Sequence, residues 1–184
     1  MFRASHIPNS ICVLRMLLVI PIVISLRSED FLLALVLIFI AGLSDGLDGY
    51  LAKRFDWRTR LGGLLDPLAD KLLLVTVILT LAFMNLTPVW LACVVIGRDL
   101  IIVIGAILYN YLIGPVTPDP SVISKTNTIC QLLYIICVIL HQASGWPPEI
   151  GILLVGAAVL FTSLVSGFDY VIRWSAKAAA HRGA

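Results

Sequence analysis

The chain has 184 residues, of which 60% are hydrophobic and only 13% are charged, and its formal net charge at pH 7 is +2. A mean hydropathy of +1.02 excludes a soluble globular domain and favours an integral membrane protein. Apolar runs follow one another along the whole chain, and each is long enough to cross a hydrocarbon core as a helix. In chain order, we predict spans at approximately Ile11–Leu26, Phe31–Leu51, Gly62–Phe83, Pro88–Ile113, Val122–Leu140 and Ile150–Trp174.

The connections between these spans are short, which predicts one all-α bundle of six transmembrane helices and a single domain over residues 1–184. Most basic residues between the spans or at their ends fall on one side of the predicted membrane, namely Arg3, Lys53, Arg54, Arg58, Arg60, Arg173, Lys177 and Arg182. By the positive-inside rule, we expect both termini in the cytoplasm. No Arg- and Ser-rich presequence is evident, which favours a bacterial inner membrane over a mitochondrial one.

Four aspartates lie where the hydrocarbon of a bilayer disfavours them. Asp45 and Asp48 close the second predicted span, and Asp66 and Asp70 open the third. A carboxylate at membrane depth costs about 2.5–3.5 kcal/mol, so four without partners would cost on the order of 10 kcal/mol. Spacings of three and four residues place each pair on one helix face, just inside the cytoplasmic leaflet. A divalent cation that binds a phosphate-bearing substrate is the compensation that we expect there.

The segment around these aspartates resembles the signature of the CDP-alcohol phosphotransferase family, D-x2-D-G-x2-A-R-x8-G-x3-D-x3-D. The matching residues, in order, are Asp45, Asp48, Gly49, Ala52, Lys53, Gly62, Asp66 and Asp70. Every spacing fits, and the one departure is Lys53, where the family has arginine. Lysine keeps the positive charge but lacks the bidentate fork of a guanidinium, although Arg54 follows directly.

The resemblance implies a metal-dependent enzyme of phospholipid synthesis that cleaves CDP-diacylglycerol. It implies one or two Mg²⁺ or Mn²⁺ ions, with Asp45, Asp48, Asp66 and Asp70 as metal ligands and Asp70 also as the general base. It places the CDP moiety at Gly49, Ala52, Lys53 and Gly62. It further implies a homodimer in contact with membrane lipids, with no nucleic acid as a partner. The orientation predicted from the basic residues places the active site on the cytoplasmic side.

The acceptor alcohol is predicted from residues outside the signature. The segment from Pro120 to Gln131 resembles cardiolipin synthases of mitochondrial type, and the Arg98-Asp99 pair lacks the second arginine usual in enzymes that use glycerol 3-phosphate. Glycerol 3-phosphate carries a phosphate dianion that needs several cations, whereas phosphatidylglycerol carries a singly charged diester. We therefore predict phosphatidylglycerol as the acceptor, with glycerol 3-phosphate as the alternative. The candidate contacts for the acceptor or its phosphate are Arg15, Arg98, Lys125 and Gln131.

Other interpretations of the charged residues remain open at this point. The aspartates can form buried ion pairs between helices, with Lys71, Arg98 or Arg15 as partners, and Arg98 can pair with Asp99 or Asp169. A cation transporter or channel would also use carboxylates within the membrane, but it would place them near the bilayer midplane. A scaffold with purely structural aspartates is a third possibility. Release of CMP from CDP-diacylglycerol by the purified protein separates the enzyme from both alternatives.

Overall fold

A computed structural model describes the backbone of residues 7–54, 62–112 and 122–182, and the side chains of residues 13–44, 69–105 and 122–172. These residues form six α-helices, and no strand occurs among them. The helices are α1 Ile7–Arg27, α2 Phe31–Arg54, α3 Gly62–Phe83, α4 Val89–Leu112, α5 Val122–Ser144 and α6 Glu149–Arg182. Each predicted span coincides with one helix, so the all-α prediction is confirmed.

Two of these helices are long and apolar enough to cross a membrane, judged by length and composition over the described residues. They are α5, over Val122–Ser144, and the Glu149–Ile172 part of α6, whereas the apolar Phe31–Ser44 part of α2 is shorter. α6 continues beyond its predicted end at Trp174, because the segment that follows is rich in alanine, the strongest helix former. The six-span bundle, its single domain and its orientation stay predictions.

The first compact unit, unit 1, comprises Met1–Thr87 and Ile135–Pro147 and contains α1, α2 and α3. Within it, α1 packs against both α2 and α3. Buried residues recur every three or four positions on each of these helices, as one apolar face of an α-helix requires. They include Val19, Ile22 and Leu26 on α1, Ala34, Ile38 and Ala41 on α2, and Leu73, Val77 and Leu81 on α3.

Two tight turns end helices in unit 1. After α1, Glu29 adopts a positive φ of 60°, and Asp30 N donates to Ser25 O, as in a Schellman motif. Asp30 then caps α2, since its Oδ1 accepts a hydrogen bond from Leu33 N at 3.1 Å. After α3, Asn85 takes the same conformation with a φ of 58°. These turns stop each helix and satisfy its last carbonyl groups.

The second compact unit, unit 2, comprises Pro88–Tyr134 and Pro148–Ala184 and contains α4, the first half of α5, and α6. Within it, α4 packs against α6. A Cβ atom added at Gly156 of α6 would lie 3.1 Å from Cε2 of Tyr134 on α5 and 3.8 Å from Leu91 of α4. The missing side chain at Gly156 therefore allows α6 to approach both neighbouring helices.

Candidate active site

The signature residues lie on α2 and α3. Asp45, Asp48, Gly49, Ala52 and Lys53 occupy the last turns of α2, Gly62 begins α3, and Asp66 follows one turn later. Both helices are continuous through these positions, so residues 45 and 48 share one side of α2, and residues 66 and 70 share one side of α3. Except at Asp70, the side chains of the signature lie outside the described part of the structure, and the roles assigned to them stay predictions.

Asp70 forms an ion pair between two helices of unit 1. Nη1 of Arg15, on α1, donates a hydrogen bond to Oδ1 of Asp70, on α3. The Arg15 side chain is only 1% exposed, whereas that of Asp70 is 45% exposed. The ion pair considered from the sequence is thus observed, and it leaves the carboxylate partly accessible.

This arrangement suits a group that accepts a proton from a substrate. A general base must be reachable and held in one orientation, because misplacement of the reacting atoms slows the reaction steeply. The charge-assisted bond from Arg15 orients the carboxylate. Ala69 and Leu73, on either side of Asp70 along α3, are both buried, so packing also restrains the helix at this position. The carboxylate of Asp70 is therefore both accessible to a substrate and held in one position.

The donor chemistry of the site fits a hard divalent cation. Carboxylate oxygens are preferred ligands of Mg²⁺ and Mn²⁺, and the partly exposed Asp70 offers such an oxygen donor. Among the side chains that the structure describes, no three His, Cys, Asp or Glu residues lie together as a metal-binding group. The other predicted ligands, Asp45, Asp48 and Asp66, fall outside that part of the chain.

A second polar cluster lies inside unit 2 and is centred on Arg98 of α4, which is 5% exposed. Its Nη1 donates to Oδ1 of Asp99, which confirms the pairing considered from the sequence. Its Nη2 donates to Oγ of Ser124 on α5 and of Ser166 on α6, and its Nε donates to Ser166 at 3.2 Å. Arg98 therefore links all three helices of unit 2, and most of its donors are engaged by the protein.

The other candidates for acceptor contacts lie on α5. Lys125 is exposed near the start of the helix, whereas Gln131 is buried. Between them, Oδ1 of the buried Asn127 accepts hydrogen bonds of 2.9 Å from the hydroxyl groups of Thr162 and Ser163 on α6. These polar contacts connect α5 to α6 in the interior of unit 2.

Two buried residues of this cluster, Asn127 and Ser166, are not among the residues predicted from the sequence. For Asn127, the helical periodicity of α5 contains a signal. Ser124, Asn127 and Gln131 are spaced by three and four residues, which places three polar side chains on one face of α5. Such a stripe on an otherwise apolar helix indicates a polar interior contact.

Comparisons with known proteins identify the family of the chain. A sequence model of the family described as CDP-alcohol phosphatidyltransferase matches residues 5–167. Cardiolipin synthase (CMP-forming) of Homo sapiens is 30% identical over 181 residues, which cover 89% of this chain and 60% of the human protein. The chain therefore spans about 60% of the length of the mammalian curated relatives that it matches.

Two bacterial relatives carry the name CDP-diacylglycerol–glycerol-3-phosphate 3-phosphatidyltransferase. The protein from Aquifex aeolicus is 34% identical over 137 residues, covering 72% of this chain and 75% of that protein. The protein from Bacillus subtilis is 33% identical over 147 residues, covering 77% of this chain and 73% of that protein. The family match includes the whole signature and both residues of the Arg15–Asp70 pair. The chain belongs to the CDP-alcohol phosphatidyltransferase family.

Proposed function

We propose that the chain transfers a phosphatidyl group from CDP-diacylglycerol to the hydroxyl group of an acceptor alcohol, with release of CMP. The observation that carries this proposal is the partly exposed carboxylate of Asp70, held by the buried Arg15 at the last position of the family signature. The named relatives support it, because their names describe phosphatidyl transfer or the formation of cardiolipin with CMP as the other product.

In this reaction, the acceptor oxygen attacks the phosphorus atom that bears diacylglycerol, and the bond from that phosphorus to the CMP oxygen breaks. Asp70 would take the proton of the acceptor hydroxyl on a carboxylate oxygen and pass it to solvent through its exposed side. Arg15 would keep this carboxylate in position throughout. Gly49, Ala52, Lys53 and Gly62 would hold the CDP moiety, with the ammonium group of Lys53 near its phosphates.

A divalent cation fits the same site. Asp45, Asp48 and Asp66 would hold one or two Mg²⁺ or Mn²⁺ ions, with Asp70 as a further ligand beside them. When bound, such an ion would neutralise the pyrophosphate charge and stabilise the departing CMP. The protein would contribute a fixed set of oxygen donors at the ends of α2 and α3.

We propose phosphatidylglycerol as the acceptor, so that the product is cardiolipin. Arg98 supports this choice, because Asp99 already balances its charge and two serines occupy other donors. A phosphate dianion would find little free positive charge at Arg98, whereas a singly charged diester needs less. Glycerol 3-phosphate is the second candidate, favoured by bacterial relatives named for that acceptor.

We also propose that the chain is an integral protein of a bacterial inner membrane that works as a homodimer with a cytoplasmic active site. The distribution of basic residues supports the orientation, and the family resemblance supports the dimer. Large hydrophobic side chains are exposed on the helices, which suits contact with lipid. They include Leu32, Phe39, Ile101, Phe161 and Phe168.

Release of CMP tests the proposed reaction. The purified chain, given CDP-diacylglycerol and an acceptor, is expected to release CMP with Mg²⁺ or Mn²⁺ and to stop when EDTA removes the metal. Asp70→Asn should lower the rate by about 10²–10⁴-fold, as expected for loss of a general base. Asp30→Asn is the matched control, because Asp30 is exposed and the new amide oxygen can still cap α2. Full activity of Asp70→Asn, or activity without metal, would contradict the proposal.

A panel of acceptors tests the choice of substrate. Radiolabelled CDP-diacylglycerol is supplied with phosphatidylglycerol, glycerol 3-phosphate, serine or inositol phosphate in separate reactions. We expect a lipid product, cardiolipin, with phosphatidylglycerol alone. A product formed only from glycerol 3-phosphate would replace this assignment with the second candidate.

A further inference from the structure

Two buried amide groups on α5 have hydrogen-bond donors that the described residues do not satisfy. Gln131 is only 2% exposed, and its Nε2 has no hydrogen-bond partner there. Asn127 lies one turn earlier on the same face, and its Nδ2 is likewise unpaired within the described residues. Buried polar groups are nearly always paired, and the hydrocarbon core of a bilayer offers no replacement partner. Two such donors on one face indicate a ligand with an oxygen acceptor.

The position of Gln131 along α5 indicates the depth of that acceptor. The helix is polar from Ser124 to Thr128, and from Ile129 to Leu140 it is mainly apolar, with Gln131 as an exception. Gln131 lies three residues beyond Thr128, which is about 4.5 Å along the helix axis. In a phospholipid, the acyl ester carbonyls occupy this boundary, between the phosphate and the hydrocarbon chains. The depth of Gln131 therefore matches an ester carbonyl better than a phosphate.

An apolar groove between α4 and α6 reaches the same region of unit 2. Its volume is about 330 Å³, and Cys93, Gly97, Ile101, Leu164, Gly167 and Phe168 are among its lining residues. Ser163 also lines the groove, and its hydroxyl donates to Oδ1 of Asn127 at 2.9 Å. Ser163 therefore belongs both to the groove and to the polar contact with α5, so one side chain separates the groove from Asn127.

The charges of unit 2 favour the binding of a neutral oxygen atom over the binding of an anion. The two described cations are Arg98, which is paired with Asp99, and Lys125, which is exposed. The same part of the chain also carries Glu149 and Asp169, so it has no surplus of positive charge. A phosphate buried there would lack a counter-charge, whereas a carbonyl oxygen requires only an N–H donor.

We infer that Gln131, with Asn127 beside it, donates hydrogen bonds to an acyl ester carbonyl of a bound phospholipid whose acyl chain occupies the groove between α4 and α6. The inference rests on the proposed function for its two candidate lipids, CDP-diacylglycerol and phosphatidylglycerol. Both lipids carry the same acyl esters, so a hydrogen bond to an ester carbonyl does not by itself identify the bound lipid. The experiment therefore has to distinguish the two lipids.

Ether-linked lipids test the inference, because they keep the chains and the head group but replace each ester carbonyl with a methylene group. Binding of diacyl and dialkyl forms to the purified full chain in nanodiscs is measured for the donor lipid and for phosphatidylglycerol separately. We expect wild-type protein to bind the diacyl form of one lipid about fivefold more tightly, as expected for a neutral hydrogen bond. The lipid that shows this preference is the one bound at Gln131.

Gln131→Met removes the amide while keeping a long, unbranched side chain, and it should bind diacyl and dialkyl forms equally. The matched control is Gln142→Met, at an exposed position of the same helix, which should keep the wild-type preference. Gln131→Leu serves as a second variant, and thermal unfolding checks that both are folded.

Two results would overturn the inference. The first is an unchanged preference for the diacyl lipid in both Gln131 variants. The second is the absence of any such preference in the wild type, which would indicate that the Gln131 amide binds a buried water instead. Binding does not require turnover, so the two proposals can fail separately. An ester preference without CMP release would contradict the proposed reaction and leave the lipid contact standing.

Discussion

Ser166 is expected to contribute more to stability than any exposed serine of the chain. It is 0% exposed on α6, and its Oγ accepts hydrogen bonds from both Nε and Nη2 of Arg98. Ser166→Ala removes this acceptor and leaves two N–H groups of a buried guanidinium without it. Water cannot easily replace the hydroxyl, since Arg98 itself is buried.

The loss of stability expected for Ser166→Ala depends on how many hydrogen-bond partners Arg98 keeps. A hydrogen bond to a charged group contributes about 1.5–3 kcal/mol. Asp99 and Ser124 still bind the guanidinium in the variant, so we expect the lower part of this range, about 2 kcal/mol of lost unfolding free energy. Ser124→Ala should cost less, because its hydroxyl accepts from a single guanidinium nitrogen and is only partly buried.

Equilibrium unfolding of the purified full chain in a defined micelle measures these differences. Ser144→Ala is the matched control, because Ser144 is exposed at the end of α5 and bonds only to nearby backbone groups. Its unfolding free energy should stay within about 0.5 kcal/mol of the wild type. Equal stabilities of Ser166→Ala and Ser144→Ala would refute the assignment of Arg98 as a structural link between α4 and α6.

Two further predictions concern backbone positions. Gly156→Ala should be less stable than Gly105→Ala by about 1–3 kcal/mol, because the new methyl group would lie 3.1 Å from the ring of the buried Tyr134, whereas position 105 is open. Equal melting temperatures of these two variants would contradict the close packing. Glu29→Gly should raise the unfolding free energy by about 1 kcal/mol, since Glu29 holds a φ of 60°. Asn85→Gly should gain less, because asparagine tolerates this conformation, and a larger gain measured at Asn85 would contradict the argument.

The helices were predictable from local sequence, but their ends were less so. Long apolar runs favour helices because a membrane span must satisfy its backbone hydrogen bonds internally. Their ends depend on capping and on the residues that follow. α1 stops at the turn containing Glu29, and α6 runs past Trp174 into an alanine-rich segment that hydropathy alone does not assign to a helix.

The family was predictable because its signature is local. Eight residues at set spacings lie within one short segment, and the family match over residues 5–167 confirms the prediction. The partner of Asp70 was not predictable in the same way. Lys71, Arg98 and Arg15 were all candidates by charge, and only the packing of α1 against α3 selects Arg15.

The sequence by itself determined the helical class and the family and predicted a membrane protein, since each depends on composition or on short-range spacing. Tertiary structure decided which polar groups meet. Arg98 binds Asp99, Ser124 and Ser166, residues drawn from three helices, because α4, α5 and α6 pack together in unit 2. It also decided that Nε2 of Gln131 is buried and has no hydrogen-bond partner among the residues that the structure describes, which no local pattern reveals. Contacts between residues far apart in the chain depend on how the helices pack, and spacing along one helix carries no information about its neighbours.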